Sequence, residues 1–231
     1  MGVLARRQAW SIGVNFMAIL ALMGSARVAP GEEPDPFEDD LRERVARVSN
    51  GALAFLPERP EQPVHHHHND LALDHASLEH GWARLRQCHE NLDAVPRAEV
   101  IFRPGHIRRL SLVSSSGIDR VWLEDTSVQL AGVRPGARLC LDAESQVVER
   151  NDDGSFTVRN GPFMRRFLDG YYPMRVSMTV RYPCEELVFA GLKPGPQAGF
   201  SVTAGGCQVA LDAWFEGRLD TEIRFVPRGH D

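Results

Sequence analysis

The sequence predicts an all-β protein: an antiparallel β-sandwich, Ig-like or similar, with at most one short helix. A signal peptide and a flexible spacer are expected ahead of it. Short runs of alternating apolar residues recur from about Asn69, punctuated by Gly, Pro, Asn and Asp. The long helical segments that a parallel sheet needs as crossovers are missing. The 231 residues are 43% hydrophobic and 25% charged, the composition of an ordinary folded chain.

The first element is an export signal. Arg6 and Arg7 precede an apolar run from Trp10 to Met23, too short to span a bilayer comfortably. Gly24-Ser25-Ala26 supplies the small residues a signal peptidase requires, so cleavage is expected after Ala26. Residues 1–26 are thus read as signal peptide, and the protein as periplasmic or secreted. A second long apolar run is absent, so no transmembrane span is expected in the mature chain.

Residues 27–68 read as an acidic, proline-rich spacer ending in a histidine run. Gly31-Glu32-Glu33-Pro34-Asp35-Pro36 buries too little apolar surface to offset its ordering entropy. Leu41 to Val48 fits a short helix, and Pro57, Pro60 and Pro63 break regular structure. One sandwich domain is then expected over 69–231. Asp74–Val95 admits a helix or an irregular strand pair. The helix is preferred because Leu78, Trp82, Leu85 and Leu92 have helical spacing.

Downstream, the expected strands are Glu99–Arg103, Ile107–Val113, Arg120–Glu124, Ser127–Ala131 and Arg138–Glu144. Ser155–Arg159, Arg175–Tyr182, Leu187–Gly191, Phe200–Thr203, Gln208–Phe215 and Arg218–Phe225 follow. Turns are expected at Ser114-Ser115-Ser116, Arg134-Pro135-Gly136, Asn151–Gly154, Lys193–Pro196 and Gly205-Gly206. Period-two alternation sends Val176, Met178, Val180 and Tyr182 inward, with Val209, Leu211, Ala213 and Phe215, and with Leu219, Thr221, Ile223 and Phe225. Glu216-Gly217 suits a tight hairpin, so Arg175–Phe225 reads as an antiparallel meander.

Four cysteines in an exported chain suggest two disulfides. Cys184 and Cys207 share the inward parity of their strands, so they are paired first, leaving Cys88 with Cys140. The alternative keeps Cys88 free as a metal ligand.

Nine histidines are present, and eight of them lie between 65 and 106. His65, His66, His67 and His68 form a run. In an extended chain, His65 and His67 face one side and His66 and His68 the other. Two imidazoles on one side suit a borderline metal such as copper or zinc. His89, in Cys88-His89-Glu90, extends the donor set, and Asp70 and Asp74 are positioned to orient imidazoles. Recognised zinc-finger spacing is missing.

Residues 160–174 lack clean alternation and read as a long loop. Phe163, Phe167, Tyr171 and Tyr172 stand there beside Arg165 and Arg166, with Asp169 available to pair with an arginine. Aromatic faces and guanidinium forks suit a glycan, a lipid head group or an envelope protein. The plainer reading makes them the cap of one end of the sandwich.

The net charge of -5 argues against nucleic acid as a partner, and Lys193 is the only lysine. The nucleophile-elbow, zincin and C-x-x-C motifs are missing. Glu124-Asp125 and Asp142/Glu144 are the carboxylate pairs available for acid–base work. Taken together, the sequence favours an exported, non-catalytic binding or accessory protein of the cell envelope. A periplasmic copper- or zinc-binding protein using segment 65–106 is the alternative, and an envelope hydrolase acting on a carbohydrate or similar polymer is a further one.

Overall fold

A computed structural model describes residues 51–167 and 170–229. The signal peptide, the Leu41–Val48 helix, Asp169 and His230 lie outside the described residues. The described chain is nearly all β. Its strands are β1 (Ala54–Phe55), β2 (His66–Ala72), β3 (Trp82–Leu92), β4 (Val95–Ile101), β5 (Ile107–Glu124), β6 (Ser127–Gln146), β7 (Val148–Arg150) and β8 (Phe156–Phe163). They continue with β9 (Arg166–Phe167), β10 (Gly170–Tyr171), β11 (Met174–Arg181), β12 (Leu187–Lys193), β13 (Phe200–Gly205), β14 (Gln208–Glu216) and β15 (Leu219–Pro227). One short helix, α1 (His75–His80), interrupts them.

Among the described residues, the larger sheet has the order β1-β14-β11-β2-β3-β6-β4, with β13 added on β14 and β5 on β6. The smaller sheet runs β12-β15-β8-β7. Their inner faces share one core. Leu71, Val176, Met178, Leu211 and Phe215 of the larger sheet meet Phe156, Val158, Leu187, Ile223 and Phe225 of the smaller. The inward sets read from alternation are those found buried, except that Tyr182, just beyond β11, is only half-buried against the core. A second apolar cluster, around Val128, Leu130, Leu139 and Leu141, lies where β4, β5 and β6 overlap.

Several expected details change. Glu216-Gly217 does not close a hairpin, because β14 and β15 belong to different sheets. The chain turns a corner there. Gly217 has φ +86°, and a Cβ would sit 2.1 Å from the Ala52 carbonyl oxygen. The meander is likewise replaced by alternation between sheets: β11 pairs with β14, while β12 pairs with β15. The β2–β11 pair is parallel in a mostly antiparallel sheet.

Ile107–Val113 and Arg120–Glu124 merge into β5, and Ser127–Ala131 and Arg138–Glu144 merge into β6. Bulges along their pairing absorb Ser114–Ser116, so the expected turn there is strand. Arg134-Pro135-Gly136 also lies inside β6. The preferred long helix over 74–95 shrinks to α1. Asp74 caps it through Ser77, and Gly81, at φ +83°, ends it. Beyond Gly81 the chain is β3, with Ala83, Leu85, Gln87 and His89 inward. Two polar residues on that inner face hid the alternation from an apolar count.

The fold also begins before Asn69. Phe55 stacks on Phe200 with ring centroids 5.1 Å apart, and Val64 is buried. The histidine run, read as the end of a spacer, enters an interior strand.

Candidate functional site

The histidine run is extended because β2 is paired on both sides. It lies parallel to β11 and antiparallel to β3, and the His65 carbonyl accepts from Arg175 N–H at 2.9 Å. Alternation then sorts the imidazoles as expected. His65 and His67 point with Asn69 and Leu71 into the sandwich, while His66, His68 and Asp70 take the outer face.

On the inner face His89 of β3 joins His65 and His67, and it is only 4% exposed. His65 Nε2 lies 2.9 Å from His89 Nδ1. The His67 and His89 ring centroids are 4.5 Å apart, and those of His65 and His89 are 5.1 Å apart. Neighbouring amides select the tautomers. The Gln87 amide donates to His89 Nε2 at 2.7 Å, and His67 Nε2–H donates to the Asn69 carbonyl oxygen at 2.9 Å. Phe163 packs edge-on against His67 at 4.9 Å.

Burial sets the protonation of this cluster. Removal from water pushes His65 down to about 4, with Asp93 opposing and Arg165 assisting. Burial, aided by His65, pushes His67 down to about 3. His89 is held well below the ordinary imidazole value, again by burial first and then by His67 and His65. All three rings are therefore neutral at pH 7, the state in which imidazole binds metals. Among the described residues, no group of three or more His, Cys, Asp or Glu side chains converges on one metal position.

The outer face carries a different arrangement. Ser177 Oγ of β11 lies 2.7 Å from His66 Nε2 and 2.7 Å from His68 Nδ1. Glu90 Oε2 stands 3.5 Å from His66 Nδ1. Burial lowers the His66 pKa, with Arg175 adding to the effect and Glu90 opposing it.

Other donors named from the sequence are committed elsewhere. Cys88 and Cys140 form a disulfide between opposite residues of β3 and β6, so Cys88 cannot serve as a thiolate ligand. Cys184 and Cys207 form the second disulfide. Both pairings are those expected, but the parity argument for Cys184–Cys207 does not hold: Cys207 is exposed in the β13–β14 turn at φ +60°. Asp70 pairs with Arg181 and Asp74 caps α1, so neither orients an imidazole of the inner cluster. That task falls to Asn69 and Gln87.

The expected loop 160–174 is mostly strand. Phe163 is a 4% exposed core residue at the end of β8. Arg165 donates to Asp93 through Nε at 2.9 Å and through Nη2, and to the Pro173 carbonyl at 3.0 Å. Its partner is thus Asp93. Arg165 also lies over the Phe167 and Tyr172 rings, and Arg166 over the Tyr171 ring. β9 and β10 form a small hairpin that leaves Phe167 37% exposed.

Sequence reasoning missed Ser177, Asn69, Gln87 and Asp93. Asn69 and Gln87 had a usable signal, because each falls in phase with inward apolar residues of its strand. Ser177 had none, since only β pairing brings it to the histidines.

No protein-family model matches the chain, and no curated protein matches it. Among solved structures, an M1 zinc metallopeptidase from Deinococcus radiodurans bound to a Tyr-Ser-Ala substrate is similar, with TM-score 0.41 and 14% identity over 71% of this chain and 42% of that one. A two-domain M1 zinc metallopeptidase bound to L-tryptophan gives TM-score 0.38 and 13% identity over 71% and 43%. The chain spans less than half the length of either. Likeness of this degree assigns no function.

Proposed function

We propose that the chain is an exported binding protein of the cell envelope whose ligand is a borderline transition-metal cation, copper(II) or zinc(II). The observation that carries the reading is the inner cluster of neutral imidazoles, with His65 Nε2 and His89 Nδ1 only 2.9 Å apart. At metal–nitrogen bonds of about 2.0–2.1 Å, that separation subtends roughly 90° at a shared cation. An angle near 90° suits two neighbouring ligands in a tetragonal copper(II) site. His67 flanks the pair, with its ring centroid 4.5 Å from that of His89 and its Nδ1 left free by the bond from Nε2 to Asn69. In the metal-free arrangement Gln87 donates to His89 Nε2, so metal binding requires the Gln87 amide to turn its carbonyl oxygen to that nitrogen and move the ring proton there, which frees the His89 Nδ1 lone pair. The two disulfides support the export part of the reading, since such bonds persist in oxidising compartments.

The test is metal analysis of protein purified without a nickel column, followed by titration with copper(II) and zinc(II). Wild type should take up close to one equivalent. His65→Ala and His89→Ala should abolish uptake, while His68→Ala on the outer face should retain it. Less than about a tenth of an equivalent at saturation would overturn the reading, because a specific site is stoichiometric.

The exposed Phe167 beside Arg166 and Tyr171 supports a second reading of the β9–β10 hairpin as a surface for a glycan, lipid head group or envelope protein. Phe167→Ala should then weaken recovery of an envelope partner without lowering stability. The hydrolase reading draws less support. Arg86 holds the Asp142 carboxyl below its usual range, and Arg108 and Arg109 do the same for Glu144. A general acid must hold its proton near the working pH.

A further inference from the structure

We propose that Ser177 is an activated serine nucleophile, with His66 as its general base and Glu90 as the group that positions His66. The proposal goes beyond metal binding and is independent of it, since these residues occupy the opposite face of the sheet from His65, His67 and His89. Three strands bring the residues together. In register, Arg175 of β11 faces His66 of β2, His66 faces Glu90 of β3, and Ser177 faces His68.

The hydrogen-bond geometry fits a set of proton positions that runs from Glu90 through His66 to Ser177. Glu90 accepts from Arg138 through Oε1 at 2.6 Å, which fixes the carboxylate. Its Oε2 stands 3.5 Å from His66 Nδ1 and draws the ring proton to that nitrogen. His66 Nε2 is then a bare lone pair, and it accepts the Ser177 hydroxyl proton across 2.7 Å. His68 Nδ1–H donates to Ser177 Oγ across 2.7 Å, satisfying the oxygen from its other side. Carboxylate, imidazole and hydroxyl stand in the order that activates serine in nucleophilic catalysis, with base and nucleophile at hydrogen-bond distance. His66 is 17% exposed and Glu90 37%, so the relay opens to solvent.

The fitting substrate class is a carboxylic ester small enough to lie on an open sheet face. Ser177 Oγ bonds to the ester carbonyl carbon, and the ester C–O bond breaks. The serine proton passes to His66 Nε2 and from there to the departing alcohol. Water attacks the acyl-serine by the same route, releasing the carboxylic acid and restoring the serine.

The probes are a fluorophosphonate and p-nitrophenyl acetate, applied to the full chain in the presence of a chelator so that metal has no part in the outcome. Peptide mapping should find the phosphonyl adduct on Ser177, with none on the exposed Ser114. Ser177→Ala should remove both the adduct and the ester hydrolysis. His66→Ala should slow both by about a hundredfold or more, the range for loss of a general base. The near-isosteric Glu90→Gln keeps the test decisive if His66→Ala does not fold, and it should slow labelling at least tenfold. No adduct on Ser177, or equal labelling of wild type and Glu90→Gln, would overturn the proposal.

Discussion

Five imidazoles meet around one strand, and their surroundings divide them into two chemistries. His65 and His67 are half-buried and His89 is buried, and loss of hydration keeps all three neutral. His66 and His68 face outward and share one serine hydroxyl. The inner set makes stability depend on pH. Unfolded histidine titrates near its ordinary 6.5, whereas His65 and His67 in the fold wait until about 4 and about 3. Between those values the unfolded chain binds more protons, so stability falls as pH drops from 6.5. The slope approaches about 1.4 kcal/mol per pH unit for each such histidine. Urea unfolding should show a markedly less stable protein at pH 5 than at pH 7.5, and His67→Gln should flatten the difference. Equal stability at the two pH values would contradict the burial of these rings. The donors and their faces are legible in the sequence of the run alone. Ser177 is not, because it lies 109 residues beyond His68 in the chain.

At the scale of elements, the site depends on where β2 is inserted. As a spacer, the histidines would be solvated. Between β11 and β3 they are held in register with Glu90, Ser177 and His89. Nothing in the run itself marks it as an interior strand, because imidazoles lack the apolar signature of one. Corners are equally non-local. Gly217 turns the chain from the larger sheet to the smaller against the Ala52 carbonyl, so Gly217→Ala should destabilise by about 2 kcal/mol or more, through backbone strain plus the clash. Thermal unfolding measures it, and an unchanged midpoint would refute the close approach. Arg165 ties β9 to the start of β4 by way of Asp93. Arg165→Ala should cost about 1–3 kcal/mol and speed amide exchange in 163–174, while Arg166→Ala should stay within about 0.5 kcal/mol.

At the scale of the whole molecule, the described residues are held by an apolar layer between two sheets and by a second apolar cluster around Leu130 and Leu139, and they are stitched by two disulfides. Phe225 is fully buried, with Tyr182 at 4.7 Å and Phe189 at 6.2 Å. Phe225→Ala should cost about 3–5 kcal/mol, a fall of roughly 10 °C in the unfolding midpoint. The Cys88–Cys140 bridge spans 52 residues of sequence, and replacing both cysteines by serine should cost about 2–4 kcal/mol. A midpoint shift near zero in either variant would refute the corresponding contribution.

Alternation along single strands determined the all-β class, the inward residues of β11, β14 and β15, and the split of the histidines between two faces. Those properties follow from the period of the extended chain and need no partner strand. Only the tertiary structure decided which strands share a sheet, where β2 lies, that β14 and β15 part at Gly217, and that Ser177 and Glu90 flank His66. Each of these is fixed by pairing between distant segments. The pairing is selected by the apolar area that both sheets bury together, a quantity no local stretch of sequence contains.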